Sequence, residues 1–248
     1  MPPNSPPAYH VLAQHVNTVL RNTPARPRYG PSQSPLTYQS ALPGHNMTPT
    51  PYPHPRRIEG YAIVSEDGML ANAAGIIPTS LSFEADRQFF ERNIGSIDVL
   101  VHGRNSREEK QNSNLRHRLI VTRQIPAIMS DPSNRKSVLW NPAGASFEQA
   151  LAVLGTSAGR VGVLGGTEVF GLFLDRYDIF HLSRAPDVRL PGGRPIFLGV
   201  PARTPEEVLA SHGLRRGIRQ VLDPARGLTV VAWQRPSQPA FPLKTQIE

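Results

Sequence analysis

Cysteine is absent from the 248-residue chain, which removes disulfide scaffolds, thiolate metal sites and cysteine nucleophiles together. Long apolar runs are missing as well. No stretch approaches the roughly 18 consecutive apolar residues of a membrane-spanning helix. The opening MPPNSPPAYHVLAQHV, broken by proline and histidine, lacks the charged and then apolar order of a secretory signal. A cytoplasmic location is the expectation. Acidic residues are absent from positions 1–57, which also lack Phe and Trp yet hold 13 of the 26 prolines. Such a composition buries too little apolar surface to offset its ordering entropy. The expected organisation is therefore a proline-rich disordered arm over 1–57, a folded domain over 58–236 and a flexible tail over 237–248. Arg21, Arg26, Arg28, Arg56 and Arg57 of the arm supply +5 of the net +8. The remainder has no basic run with interleaved aromatics, which argues against nucleic acid as a partner.

Within the arm, Val11, Leu12, Val16, Val19 and Leu20 follow a helical period over 8–20, although an isolated helix of that length is marginal in water. From Ile58 onward short strands alternate with helices. Strands are expected at 60–65, 97–102, 117–122, 137–140, 160–164, 178–183, 217–222 and 228–234, and helices at 82–94, 104–110, 146–154, 167–174 and 205–211. That order predicts an α/β domain, a mixed sheet of about eight strands with helices on both faces. DPARG at 223–227 is a turn signal between apolar runs, so the last two strands should form an antiparallel hairpin at one edge.

Three places carry chemistry. The helix at 82–94 has Ser82 as an available cap and an apolar stripe of Phe83, Phe89, Phe90 and Ile94. Asp86 shares the face of Phe89 and Phe90. A carboxylate there is costly unless paired or poised to take a proton; the alternative is a first-turn acid complementing the helix dipole. Glu84 reads as surface charge and is the rival acid. Second, two strand-to-helix junctions are phosphate-sized: Gly103 followed by Arg104, Asn105 and Ser106, and Gly165–Gly166 followed by Thr167 and Glu168. Neither is a G-x-G-x-x-G fingerprint, and the alternative for each is a tight turn needing glycine for steric reasons, but two such junctions in one domain suit the phosphates of a dinucleotide. Third, Thr122 and Arg123 end a strand on the side where open α/β sheets bind ligands, and suit a phosphate monoester such as the 2′-phosphate of NADP.

In order and spacing these segments resemble the dihydrofolate reductase superfamily, which includes the reductase domain of the bifunctional riboflavin-biosynthesis deaminase-reductase. The resemblance runs from about Glu59 to Arg235. SEDGMLA at 65–71 is similar to the family's first strand and start of its mobile loop. LSFEADRQFFERN at 81–93 is similar to the helix bearing the substrate-binding acid, which falls on Asp86. VHGRNS matches the cofactor turn on Gly103, Arg104 and Ser106. VLGGTEVF matches the glycine pair and following helix on Gly165, Gly166, Thr167 and Val169, with Phe170 where Tyr is usual. HLSRA at 181–185 resembles the strand whose hydroxyl supports the acid, here Ser183. LPGGRPIFLG at 190–199 is similar to a glycine-rich stretch of the riboflavin reductases. Thr79 rather than Trp follows Pro78, no arginine stands where a folate tail would be clamped, and a Cys-based deaminase zinc site is excluded.

The resemblance implies an NADPH-dependent oxidoreductase that transfers a hydride to a pteridine- or pyrimidine-type substrate, acting on dihydrofolate, on 5-amino-6-(5-phosphoribosylamino)uracil or on a relative. It implies Asp86 and Ser183 as catalytic residues. Cofactor contacts fall on Gly103, Arg104, Asn105, Ser106, Thr122, Arg123, Gly165, Gly166, Thr167, Glu168 and Val169. Substrate contacts fall on Ile63, Phe89, Phe90 and Phe170. No metal is expected, and a homodimer is left open. The alternatives are a nucleotide-binding module of the same fold without turnover, and a protein whose arm mediates interactions.

Overall fold

Strand β1 (Arg57–Val64) is buried along nearly its whole length, as a central strand covered on both faces must be. It lies in the middle of the sheet of the computed structural model, which describes residues 56–105, 116–156 and 159–236. The helix read at 8–20, most of the arm and of the helix read at 104–110, Ser106, and the C-terminal tail lie outside the described residues.

Around β1 the sheet is built from β3 (Val99–Gly103), β4 (His117–Val121), β5 (Ile128–Ser130), β6 (Ser137–Trp140), β7 (Arg160–Val163), β8 (Ile179–Arg184), β10 (Arg215–Asp223) and β11 (Leu228–Gln234). The nine strands run in the order β10-β11-β8-β1-β7-β3-β4-β6-β5. The six from β8 to β6 are parallel neighbours. The β10–β11 hairpin and β5 add antiparallel edges. β2 (Met69–Ala71) and β9 (Arg194–Pro195) pair in a separate two-stranded ribbon.

Helices α2 (Phe147–Leu154), α3 (Thr167–Leu172) and α4 (Pro205–Ser211) share one core. In it Phe147, Leu151, Phe170, Phe173 and Leu209 meet Val64, Val99, Val101, Val161 and Val163 of the sheet. The opposite face carries α1 (Glu84–Ile94), whose Ile94, Phe89 and Phe90 pack on Tyr61 and Leu100. The result is a three-layer α/β domain with a mixed sheet and a C-terminal hairpin. Period-two alternation explains the division: along β3, Val99 and Val101 face one layer and Leu100 the other. Close approach of β1 to β8 requires Gly60, where a Cβ would stand 2.3 Å from the Phe180 ring.

Local signals set the helix ends. α2 and α4 open with complete capping boxes, Ser146 with Gln149 and Thr204 with Glu207. α1 differs from expectation, because its N-cap is Phe83 and no side chain caps it. Ser82 instead closes a 3-10 turn at Thr79–Leu81, its N–H donating to Thr79 O at 2.9 Å. The Phe83 ring sits beneath the Arg226 guanidinium at 3.9 Å, which fixes the helix start by stacking.

Under α1 the sheet buries a charge. Glu59 is fully enclosed and accepts from Tyr61 Oη at 2.6 Å and Arg160 Nε at 2.9 Å, with Arg57 Nε at 3.0 Å. Burial alone would push its pKa up. Contacts with His181, Tyr61 and Arg160 outweigh that and hold it at about 2. His181 Nε2 lies 3.7 Å from the carboxylate, beyond hydrogen-bond reach, while its ring stacks on Tyr61 at 4.7 Å and meets the Phe89 edge at 5.5 Å.

Candidate functional site

The chain enters β1, moves outward to β3, β4 and β6, then returns to place β7 and β8 on either side of β1. Such a reversal of strand order leaves a crevice outside the carboxyl ends of the strands. Most of the expected site residues within the described chain fall at that edge; Phe170, expected at the substrate, instead lies in the core, and Phe89 and Phe90 pack on Tyr61 and His181 in mid-strand.

At the β8–β1 end, Ile63 and Ser183 are register partners. Asp86 comes down onto them from the first turn of α1. Its carboxyl is half-buried and lies beside the hydroxyl of Ser183, itself only 2 % exposed. Removal of water raises the Asp86 pKa, and the Ser183 contact offsets that only in part. Glu84, the rival acid, is exposed and engaged by Arg87 and Gln88. Phe89 and Phe90, both half-buried, turn toward the His181–Tyr61 stack, Phe90 meeting Tyr61 edge-on at 5.9 Å.

At the β7, β3 and β4 ends the three junctions are knitted by backbone hydrogen bonds. Gly103 N donates to Gly165 O at 2.8 Å and Arg104 N to Val121 O at 3.2 Å. Gly165 takes a φ of +89°, and a Cβ there would stand 2.4 Å from the Phe170 ring, so only glycine fits the turn. The space where Gly166 would carry a Cβ is open. Phe170 is 1 % exposed among Phe180 and Phe197; it backs the glycine turn from within the core, with Val169 buried beside it. Thr167 Oγ1 donates to Pro195 O and so ties α3 to β9.

Thr122 is buried and its hydroxyl accepts from Gln124 N at 3.2 Å. Arg123 extends into solvent and pairs with Glu168 at 2.7 Å. Arg104, exposed like its neighbour Asn105, donates to the Gln124 side chain. Sequence reasoning did not anticipate two contacts here: the Arg123–Glu168 pair, and Arg184, whose guanidinium holds Glu66 O at 2.7 Å and the Glu206 carboxylate at 2.6 Å. The only advance signal was opposite charge, which is too common to select partners 45 residues apart. Among the described residues no group of three His, Cys, Asp or Glu side chains is placed to hold a metal, and no helix is long and apolar enough to cross a membrane.

No family model and no curated protein matches the chain. Solved structures do. A putative riboflavin biosynthesis protein from Shewanella sp. PV-4 is similar over 73 % of this chain and 99 % of its own, at 17 % identity and a TM-score of 0.53. The diaminohydroxyphosphoribosylaminopyrimidine deaminase/5-amino-6-(5-phosphoribosylamino)uracil reductase of Thermotoga maritima is similar over 73 % of this chain, at 13 % identity and a TM-score of 0.52. This chain covers 57 % of that protein's length. A dihydrofolate reductase from Enterococcus faecalis complexed with NADP(H) aligns at 17 % identity with a TM-score of 0.49. At these identities the likeness is one of fold alone: the chain shares the three-layer α/β fold of the first two proteins.

Proposed function

We propose that the protein is an NADPH-dependent reductase that transfers a hydride to a pteridine- or pyrimidine-type heterocycle. The observation that carries this reading is Asp86, a half-buried carboxyl whose pKa burial raises, lying beside Ser183 near the carboxyl ends of β8 and β1. Solubility gives no reason for an acid there, whereas an amino-pyrimidine edge presents paired N–H donors that a fixed carboxyl can accept.

The neighbouring junctions fit a dinucleotide. Gly166 leaves open space, while Arg104, Arg123 and the Thr122 hydroxyl supply the kinds of donor that phosphate groups take. In this reading Gly103, Arg104, Gly165, Gly166 and Thr167 hold the pyrophosphate side, and Thr122 with Arg123 the 2′-phosphate. Reduced nicotinamide supplies the hydride; the protein supplies alignment and charge placement. In this reading the Ser183 hydroxyl beside Asp86 supports its carboxylate, leaving the carboxyl to orient the heterocycle. The raised pKa lets Asp86 hold a proton at higher pH than an ordinary aspartate and pass it toward a ring nitrogen.

The test is a titration of the purified protein with NADPH, followed by tryptophan fluorescence, and then turnover assays on dihydrofolate and on 5-amino-6-(5-phosphoribosylamino)uracil. Saturable quenching with turnover of either compound supports the reading. No NADPH binding rejects it, and binding without turnover of any heterocycle reduces the protein to a nucleotide-binding module.

A further inference from the structure

Of the two arginines at the candidate dinucleotide edge, one is already neutralised. Arg104 donates to the uncharged amide of Gln124, whereas Arg123 carries a carboxylate, Glu168 Oε2 at 2.7 Å from its Nη2. The pair bridges the end of β4 and the first turn of α3, with β3 between them in the sheet. Both side chains are largely in solvent, Arg123 at 78 % and Glu168 at 69 % exposure. Surface pairs of this kind contribute little to stability, so an anion can displace the carboxylate at small cost.

The geometry points to Glu168 as a specificity-determining counter-anion that competes with the 2′-phosphate of NADPH for Arg123. The inference rests on the dinucleotide reading above and adds to it a residue that opposes binding. A phosphate monoester reaching Arg123 must displace the carboxylate, and the displaced Glu168 then stays close enough to repel a dianion. NADH has no group at that position and is indifferent to the exchange. Glu168 therefore narrows the preference for NADPH that Arg123 would otherwise set. Were Glu168 merely holding Arg123 in place, its removal would do the opposite and weaken NADPH binding.

The experiment measures dissociation constants for NADPH and NADH with the full-length wild type, Glu168→Gln, Arg123→Ala and the double variant. Expected is a gain of about three- to tenfold in NADPH affinity for Glu168→Gln, an NADH affinity within about twofold of wild type, and loss of the gain when Arg123 is also replaced. The NADPH affinity of Glu168→Gln should also fall more steeply with salt, because one more uncompensated charge meets the phosphate. Unchanged or weaker NADPH binding in Glu168→Gln overturns the inference while leaving the dinucleotide reading intact. So does an equal gain for both nucleotides, or a gain that survives Arg123→Ala. Absence of binding of either nucleotide to wild type and Glu168→Gln alike overturns both.

Discussion

Glu59, near the start of β1, is fully enclosed, with Tyr61, Arg57 and Arg160 on its oxygens. Asp86, over the other end of the same strand, is half-buried and has a neutral hydroxyl as its partner, that of Ser183. Burial pushes both carboxyls up. At Glu59 the hydrogen-bonding groups more than reverse it, and at Asp86 a single hydroxyl does not. Two acids beside one strand are thus shifted in opposite directions. The first is spent on structure, since its charge is satisfied and its proton is out of reach. The second keeps an unmet electrostatic demand that a ligand's N–H groups would answer.

Glu59→Gln should produce the largest change, because it strands Arg160 and Arg57 around a neutral amide. A loss of about 3 kcal/mol is expected, read as a fall of roughly 6–12 °C in the thermal midpoint; an unchanged midpoint would erase the contrast between the two acids. The pH dependence has a definite sign. The folded pKa lies below the unfolded one, so Glu59 contributes its stability above about 4.5, and that contribution drains away as pH falls toward about 2. The acid limb of the stability curve should be shallower in the variant.

Asp86→Asn comes next. It should lower kcat/KM by about a hundredfold while NADPH binding stays within a factor of about two. Here the linkage runs the other way: a pKa raised by folding means that ionisation costs stability as pH rises through the folded value. The Asn variant should match or exceed the wild-type midpoint at neutral pH and lose that advantage in acid. A wild-type rate and pH profile would remove Asp86 from the mechanism. Arg123→Ala should weaken NADPH about tenfold through loss of a charge-assisted phosphate contact, with NADH nearly unaffected; equal weakening for both would move the phosphate elsewhere. The smallest effect is expected from Glu84→Gln, whose partners Arg87 and Gln88 are on its own helix. A kcat/KM within about twofold of wild type is anticipated, and a loss confined to this variant would transfer the role from Asp86.

Periodicity and turn chemistry carried most of the architecture. The Phe89–Phe90–Ile94 stripe marked α1, DPARG marked the hairpin, and glycines after apolar runs marked the junctions at β3 and β7. Pattern alone left Asp86 between two readings, because a helical wheel shows which face a residue occupies and not what lies opposite. The meeting with Ser183 depends on β8 pairing beside β1, which is a property of the whole sheet. Glu59 went unread for a related reason: an acid within a strand ordinarily marks a solvent face, and of its two cations Arg160 stands 101 residues away. β2, β5 and β9 have two or three residues each, too few to display a period. Ser82 as cap failed because the 3-10 turn before α1 claims it.

The position of β1 has a consequence for how the molecule is made. It leads the sheet in sequence, yet both of its neighbours, β7 and β8, come about a hundred residues or more later. During synthesis Glu59 therefore has only Arg57 and Tyr61 among its partners until Arg160 leaves the ribosome. β3, β4 and β6 are all synthesised before either neighbour of β1. Large sequence separation of this kind slows folding. The strand that ends up most protected is thus the one that spends longest without a partner.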